Sequence, residues 1–384
     1  MGGNAKAVYR TTGTVQIFDG RLAYAEKIDL KEVEAATFVD DVKNLIHELN
    51  KAFIWSSSSI IDERIFFGSF DILRNSTISK EEFVECKQFM GDVDVAVPTA
   101  KMEPLHDFLV SMEGKDITSS FTYVGQNRAN FTGKKINTVF FYKRCHHGKF
   151  LQIDFEGMNF VGDGPEEYVK FMRSSPWRDT KEGLKGLAHK YLLTCIARVV
   201  SYKSNIVILT DKSPVHPPSK VRVKVLDELP HSLTFSKEGL REKLRQQTRL
   251  GYPVMVEGKY AYKEIPKEEC AAESNLRKIF KRLFAHDPTE TDFMDFGSYI
   301  GTLELCSRNF SRTKIESIYE YMVNVKLWGS KGQALSRDST AEDKDIKEMI
   351  IYTMESRFPY LVGILPLEEI METYYSKYEV REEE

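Results

Sequence analysis

At 384 residues the chain is longer than one small domain, and two are expected. Apolar residues make up 42% and charged residues 29%, ordinary for a soluble globular protein whose core needs no disulfide staples. A net charge of −3 excludes a global basic footprint, so any nucleic-acid contact must come from local patches. Five cysteines (Cys86, Cys145, Cys195, Cys270 and Cys306) are scattered without C-x-x-C pairs, which predicts reduced thiols in a cytoplasmic setting. No apolar run is long enough to span a bilayer, and no signal core or myristoylation signal opens the chain, so no membrane contact is expected.

Residues 7 to 28 alternate around Asp19-Gly20 and predict a small hairpin. Asp29 is a candidate N-cap for an amphipathic core helix from Leu30 to Trp55. After a polar break at Ser56 to Ser59, Ile65 to Phe67 predicts a strand that stops at Gly68-Ser69. A glycine lets backbone approach a phosphate and Ser69 adds a hydroxyl donor; a simple strand-ending turn is the alternative. Asp71 to Met90 predicts an inserted helix or flap, with Ser79 and Glu82 as a capping box. Arg74 is the nearest cation that could reach a phosphate; a solvated arginine is the alternative.

Gly91 to Val97 predicts a strand in which Asp92 and Asp94, spaced i, i+2, project from one face and valines pack on the other. Burying two such carboxylates is costly unless a cation sits between them, and oxygen-only ligands favour Mg²⁺ or Mn²⁺. The tripeptide alone fits equally an edge strand with two solvated acids. Pro98 ends the ladder, and a helix from Glu103 to Met112 follows. Phe121–Val124, Thr138–Lys143 and Lys149–Glu156 predict strands, and Cys145-His146-His147-Gly148 a turn rather than a zinc site. Lys134-Lys135, Lys143-Arg144 and Lys149 form a basic rim that either steers a polyanion or is simply solvated. Asp154 alternates with Leu151, Ile153 and Phe155, so it shares a face with Gln152 and Glu156.

A short helix is expected near Glu166 to Met172 and a longer one from Lys181 to Ser201, carrying Lys185, His189 and Lys190. Asn205–Thr210, Lys220–Val225 and Pro253–Tyr262 predict strands, the last broken at Glu257-Gly258-Lys259. Ser236 to Leu250 predicts a basic helix, the best candidate for a nucleic-acid backbone contact. Helices are expected over Glu268–Ala285, Asp292–Arg308, Arg312–Trp328, Ala341–Phe358 and Leu367–Lys377. The fold class is α+β: a mixed or antiparallel sheet flanked by helices, followed by a mostly helical C-terminal domain.

The order of these features, an apolar strand ending at Phe67-Gly68-Ser69, then Gly91-Asp92-Val93-Asp94-Val95, then Ile153-Asp154, resembles the nucleotidyltransferase superfamily of polymerase beta. The resemblance covers roughly residues 60 to 200 and implies a catalytic domain over 1–210, a connecting segment with the basic helix over 211–266 and a helical accessory domain over 267–384. It implies that Gly68 and Ser69 hold the triphosphate of an NTP, ATP first, with Arg74, Lys185 or Lys190 as neutralising cations. Asp92, Asp94 and Asp154 would be the catalytic metal ligands for Mg²⁺ or Mn²⁺, with Asp154, or less readily Glu156, accepting the proton of the attacking hydroxyl. An NMP would move to an acceptor, an RNA 3′ end (tRNA or another RNA) ahead of a small molecule or a protein. The stretch from Ser69 to Asp92 is longer than the family's tight turn and helix, which leaves a catalytically inactive scaffold as the alternative.

Overall fold

A computed structural model describes residues 16–56, 63–75, 77–126, 133–184, 186–200, 203–209, 223–236, 239–244, 251–256, 259–264, 272–328 and 341–379. The chain divides into two compact units, Met1–Gly186 with Ala341–Met349 and Leu187–Thr340 with Ile350–Glu384. The three segments expected from the sequence do not coincide with these units. The division falls at the start of a helix rather than at the proline-rich stretch near residue 211, which lies outside the described residues.

In the first unit, β1 (Ile17–Phe18) and β2 (Arg21–Leu22) pair across Asp19-Gly20, where both turn residues take positive φ. Asp29 does not cap a helix. It lies in β3 (Ile28–Asp29), where its carboxylate accepts the Lys31 N–H at 2.9 Å and the Gln88 amide at 2.8 and 3.0 Å. The helix α1 (Ala35–Phe53) therefore starts later than expected, after Glu34 at φ 67°. Its apolar stripe, including Phe38, Val42, Leu45 and Leu49, is fully buried.

Next come β4 (Phe66–Phe67), α2 (Gly68–Arg74) and α3 (Lys80–Cys86). Ser79 caps α3 by accepting the Glu82 N–H at 3.0 Å, as its spacing predicts. The strand β5 (Phe89–Met90) pairs with β3, and β6 (Asp92–Pro98) carries the two acids. The helix α4 (Met102–Ser111) leads to β7 (Phe121–Gln126), β8 (Lys135–Tyr142) and β9 (Lys149–Met158). The strands predicted over Phe121–Val124, Thr138–Lys143 and Lys149–Glu156 are thus present and longer by two residues each, the one predicted over Ile65–Phe67 is shorter, and Cys145 to Gly148 forms the expected turn.

The main sheet is mixed and has the order β4-β6-β9-β8-β7. Only β6 and β9 run parallel. Residues 150–156 of β9 are buried on both faces, as suits a central strand. A hairpin of β10 (Phe160–Val161) and β11 (Gly164–Pro165) precedes α5 (Glu167–Arg173) and α6 (Trp177–Lys181).

The expected helix from Lys181 is instead α6, a turn with Gly183 at φ 74°, and α7 (Gly186–Val199). From Leu187 onward α7 belongs to the second unit. There β12 (Lys203–Leu209), β13 (Val223–Ser236) and β14 (Gly239–Leu244) form one antiparallel sheet, and β15 (Gly251–Val256) pairs with β16 (Lys259–Glu264). The basic helix expected over Ser236 to Leu250 is corrected by this pairing: Ser236 stands opposite Gly239 and Arg241 opposite Thr234. Gly239 at φ 123° disfavours a helix, and β13 satisfies the backbone that helix propensity would have satisfied locally. Residues 245–250 lie outside the described residues.

The remaining helices are α8 (Leu276–Phe284), α9 (Glu290–Phe296), α10 (Tyr299–Asn309), α11 (Arg312–Tyr321), α12 (Ala341–Arg357) and α13 (Leu367–Glu379). Asn275 sets the start of α8 by accepting the Lys278 N–H. The helix expected over Asp292 to Arg308 is two, because Ser298 caps a fresh start and Gly301 lets its backbone approach Asp295. A π-helical turn, Met322–Leu327, ends α11. The C-terminal part is helical as expected, but its unit also contains β12 to β16. No helix among the described residues is long and apolar enough to cross a membrane.

Candidate functional site

The strand register assembles the site. Asp94 stands opposite Asp154 on the parallel neighbour β9 and opposite Phe67 on the antiparallel neighbour β4; Asp92 stands opposite Gln152. Paired residues share a face, so Asp92, Asp94, Gln152, Asp154 and Glu156 line one side of the sheet. On β8, Asn137 pairs with Asp154 and Lys135 with Glu156, which extends the polar stripe. Val93, Val95, Ile153 and Phe155 fill the opposite face and are fully buried.

Asp154 is 4% exposed and held by protein donors on both oxygens. Asn137 Nδ2 donates to Oδ1 at 2.6 Å, Gln152 Nε2 donates to Oδ1 at 2.9 Å, and Lys135 Nζ lies 2.8 Å from Oδ2. Lys135 also lies 3.3 Å from Glu156, whose other oxygen pairs with Arg173 of α5. Asp92 and Asp94 have less compensation. Burial, and next the Asp94 charge, push the Asp92 carboxyl up to about 7, with Lys87 opposing the rise. Burial and then Asp154 push Asp94 up, while Lys135 and Arg173 oppose it. Such a pair is relieved by a shared proton or by a hard cation.

Gly68 and Ser69 open α2 directly beside these acids. Gly68 has φ 63°, and a Cβ added there would lie 3.2 Å from Asp94 Oδ2. Ser69 Oγ accepts from Lys87 Nζ. We expect Gly68→Ala to destabilise the fold by about 1–2 kcal/mol through its left-handed backbone. It should also crowd Asp94. Urea denaturation checks the first effect, and a variant as stable as the native chain would remove the argument from this close approach.

Arg74 is 8% exposed, pairs with Asp71 within α2 and stacks over Phe66 at 5.5 Å, so it is a packed helix residue rather than a solvated one. Lys185 lies outside the described residues. Lys190 is in α7 within the second unit, whereas the three aspartates are in the first. On the same helix His189 is buried, bonds Thr302 at 3.3 Å, and is pushed down to about 3 by burial. The basic rim is largely ion-paired: Lys143 with Asp116 at 2.7 Å, Arg144 with Asp41 at 2.6 Å and Lys149 with Glu32 at 3.2 Å.

Sequence reasoning missed Lys87, Arg173, and the roles of Lys135 and Asn137. The alternation of Lys135 and Asn137 with Ile136 and Thr138 was the available signal, since it marks a polar face on a strand. No such signal exists for Lys87 or Arg173.

Among the described residues no group of three or more His, Cys, Asp or Glu is arranged to hold a metal ion. Asp92 and Asp94 nevertheless fit a hard cation as side-by-side, under-compensated oxygen donors. Asp154, expected as the third ligand, instead meets protein donors on both oxygens. Comparison of the chain with family models, with curated proteins and with solved structures finds no match.

Proposed function

We propose that the chain is a metal-dependent nucleotidyltransferase with a polymerase-beta-like catalytic fold, moving an NMP from an NTP to a hydroxyl acceptor with release of pyrophosphate. The observation that carries this reading is the register that sets Asp92 and Asp94 beside Asp154, with Gly68-Ser69 at the end of the adjoining strand. Asp92 and Asp94 would hold Mg²⁺ or Mn²⁺, which supplies electrostatic stabilisation of the transferring phosphoryl group. Gly68 and Ser69 hold the triphosphate. Asp154, oriented by Lys135, Asn137 and Gln152, takes the proton of the acceptor hydroxyl. The acceptor oxygen bonds to the α-phosphorus, and the bond from that phosphorus to the bridging oxygen breaks. ATP is the first donor to try.

An RNA 3′ end is the first acceptor. A small-molecule or protein acceptor is the second reading, favoured by two observations: the rim cations are ion-paired, and β14 replaces the basic helix. The free thiols of Cys86, Cys145, Cys195 and Cys306 accord with a cytoplasmic setting.

The test is incubation with Mg²⁺, each labelled NTP in turn and a pool of cellular RNA, with Asp92→Ala/Asp94→Ala as control. Label entering RNA with the native chain alone is the expected result. Mg²⁺-dependent NTP binding without transfer to RNA would move the acceptor to small molecules or proteins. Neither binding nor transfer would overturn the enzyme reading in favour of an inactive scaffold.

A further inference from the structure

We propose that the cation held by Asp92 and Asp94 takes a third oxygen from the side-chain carbonyl of Gln152, and that Lys135 is the fixed cation of Asp154, so that the site takes one divalent ion. This assignment rests on the reading of Asp92 and Asp94 as cation ligands.

Gln152 is the residue that β9 sets opposite Asp92, on the face that carries the acids. It is 6% exposed, and its amide nitrogen donates to Asp154 Oδ1 at 2.9 Å. An ionised carboxylate only accepts hydrogen bonds, so this contact fixes which end of the amide faces Asp154. The carbonyl oxygen is the other end. It is buried, and among the described residues it accepts no hydrogen bond. Burying an amide oxygen without a partner is unfavourable, and such atoms are few in folded proteins. The strand leaves the side chain little freedom to turn away. On one edge β9 pairs with β6, and on the other Gln152 stands opposite Val139 of β8. A neutral amide oxygen beside two carboxylates is a donor set that suits a hard cation. The other positions of an octahedral ion then remain for water or phosphate oxygens.

Asp154 already has its donors. Asn137 and Gln152 serve Oδ1, and the Lys135 ammonium lies 2.8 Å from Oδ2. Strand pairing places both β8 residues: Asn137 stands opposite Asp154, and Lys135 opposite Glu156. The same ammonium lies 3.3 Å from Glu156, and Arg173 meets the other oxygen of that residue. On this face two fixed cations thus match the charges of Asp154 and Glu156. The charges of Asp92 and Asp94 are those that one divalent ion balances. A second divalent ion on Asp154 would lie against the Lys135 ammonium and be repelled by it.

The experiment is titration with Mn²⁺, the free ion being read by electron paramagnetic resonance. The native chain is compared with Gln152→Met, Gln152→Glu and the double variant Asp154→Asn/Lys135→Met, and each is melted in chelator. The native chain is expected to bind one Mn²⁺, and Asp92→Ala/Asp94→Ala none. Gln152→Met should bind the ion roughly tenfold or more weakly. Gln152→Glu keeps an oxygen at that place and should bind it at least as tightly as the native chain. The double variant removes one charge of each sign and keeps the three ligands, so its affinity should stay within about threefold. Equal Mn²⁺ affinity in the native chain and Gln152→Met overturns the role of Gln152 and leaves the cation site standing. Should Gln152→Met melt below the native chain, Gln152→Glu decides: binding as weak as that of Gln152→Met makes the amide structural and also overturns the assignment. A loss of about tenfold in the double variant makes Asp154 a ligand and overturns it, as does a second Mn²⁺ on the native chain. If the native chain binds no Mn²⁺, or binds it as well without the two acids, the cation reading of Asp92 and Asp94 fails and this assignment fails with it.

Discussion

Asp92→Asn should transfer no nucleotide, yet resist denaturant better than the native chain at pH 8 in the presence of a chelator. The reason is the crowding of two carboxylates on one face of β6. The folded-state value for Asp92, about 7, lies above the ordinary 3.8 of an unfolded aspartate. The native state therefore binds more protons than the unfolded state between about pH 4 and pH 7. The contribution of this group is fully present below pH 4 and is lost as pH rises through 7. A shift of that size corresponds to at most about 4 kcal/mol. Asp92 keeps partial contact with solvent, so we expect about 1–3 kcal/mol. The asparagine side chain of the variant carries no charge at any of these pH values and escapes the loss. The stability gap between variant and native chain should widen from pH 5 to pH 8. Asp94→Asn should behave in the same direction, because its carboxyl is pushed up by burial and by Asp154. Urea titrations at the two pH values give the answer. Coincident curves for variant and native chain at pH 8 would mean that the acids are not crowded. An Asp92→Asn/Asp94→Asn double variant that still transfers nucleotide would remove the site altogether.

Arg173→Met should destabilise the fold by about 2–4 kcal/mol. Glu156 is 3% exposed and faces the same side of the sheet as three aspartates. Arg173 pairs with one of its oxygens, and Lys135, shared with Asp154, lies 3.3 Å from the other. Removing the guanidinium leaves a buried carboxylate with a divided cation. That cost exceeds what the pair itself contributes, because desolvation of Glu156 is no longer offset. Replacing both partners, Arg173→Met with Glu156→Gln, should recover most of the loss, and a double-mutant cycle measures the coupling. A single variant within about 0.5 kcal/mol of the native chain would show that water or another group already serves Glu156.

The sequence was most informative where period and chemistry agree. The amphipathic stripe of α1, the alternation of β6, β8 and β9, and the Asp19-Gly20 turn are local patterns with one physical solution. So is Ser79 as the cap of α3. Boundaries were less legible because competing partners decided them. Asp29 suits a helix cap, but Gln88 and the pairing of β3 with β5 claim it. The basic segment after Ser236 has good helix formers, but β13 supplies a ladder partner and Gly239 takes a backbone conformation outside the helical region.

Within the candidate site, the residues that bear acid were legible and their environment was not. Asp92 and Asp94 follow from spacing, since a strand fixes which residues share a face, whereas Asp154 was joined to them only by the resemblance to the nucleotidyltransferase superfamily. Which strands are neighbours, and in what register, is a matter of long-range pairing that no local pattern encodes. That pairing put Asp94 opposite Asp154, brought Lys135 onto Asp154 and Arg173 onto Glu156, and turned Lys87 toward Ser69. It also withdrew Arg74 into its own helix and matched the basic rim with Asp41, Asp116 and Glu32. Charge is visible in a sequence; compensation of charge depends on distance and burial, and those exist only once the chain has folded.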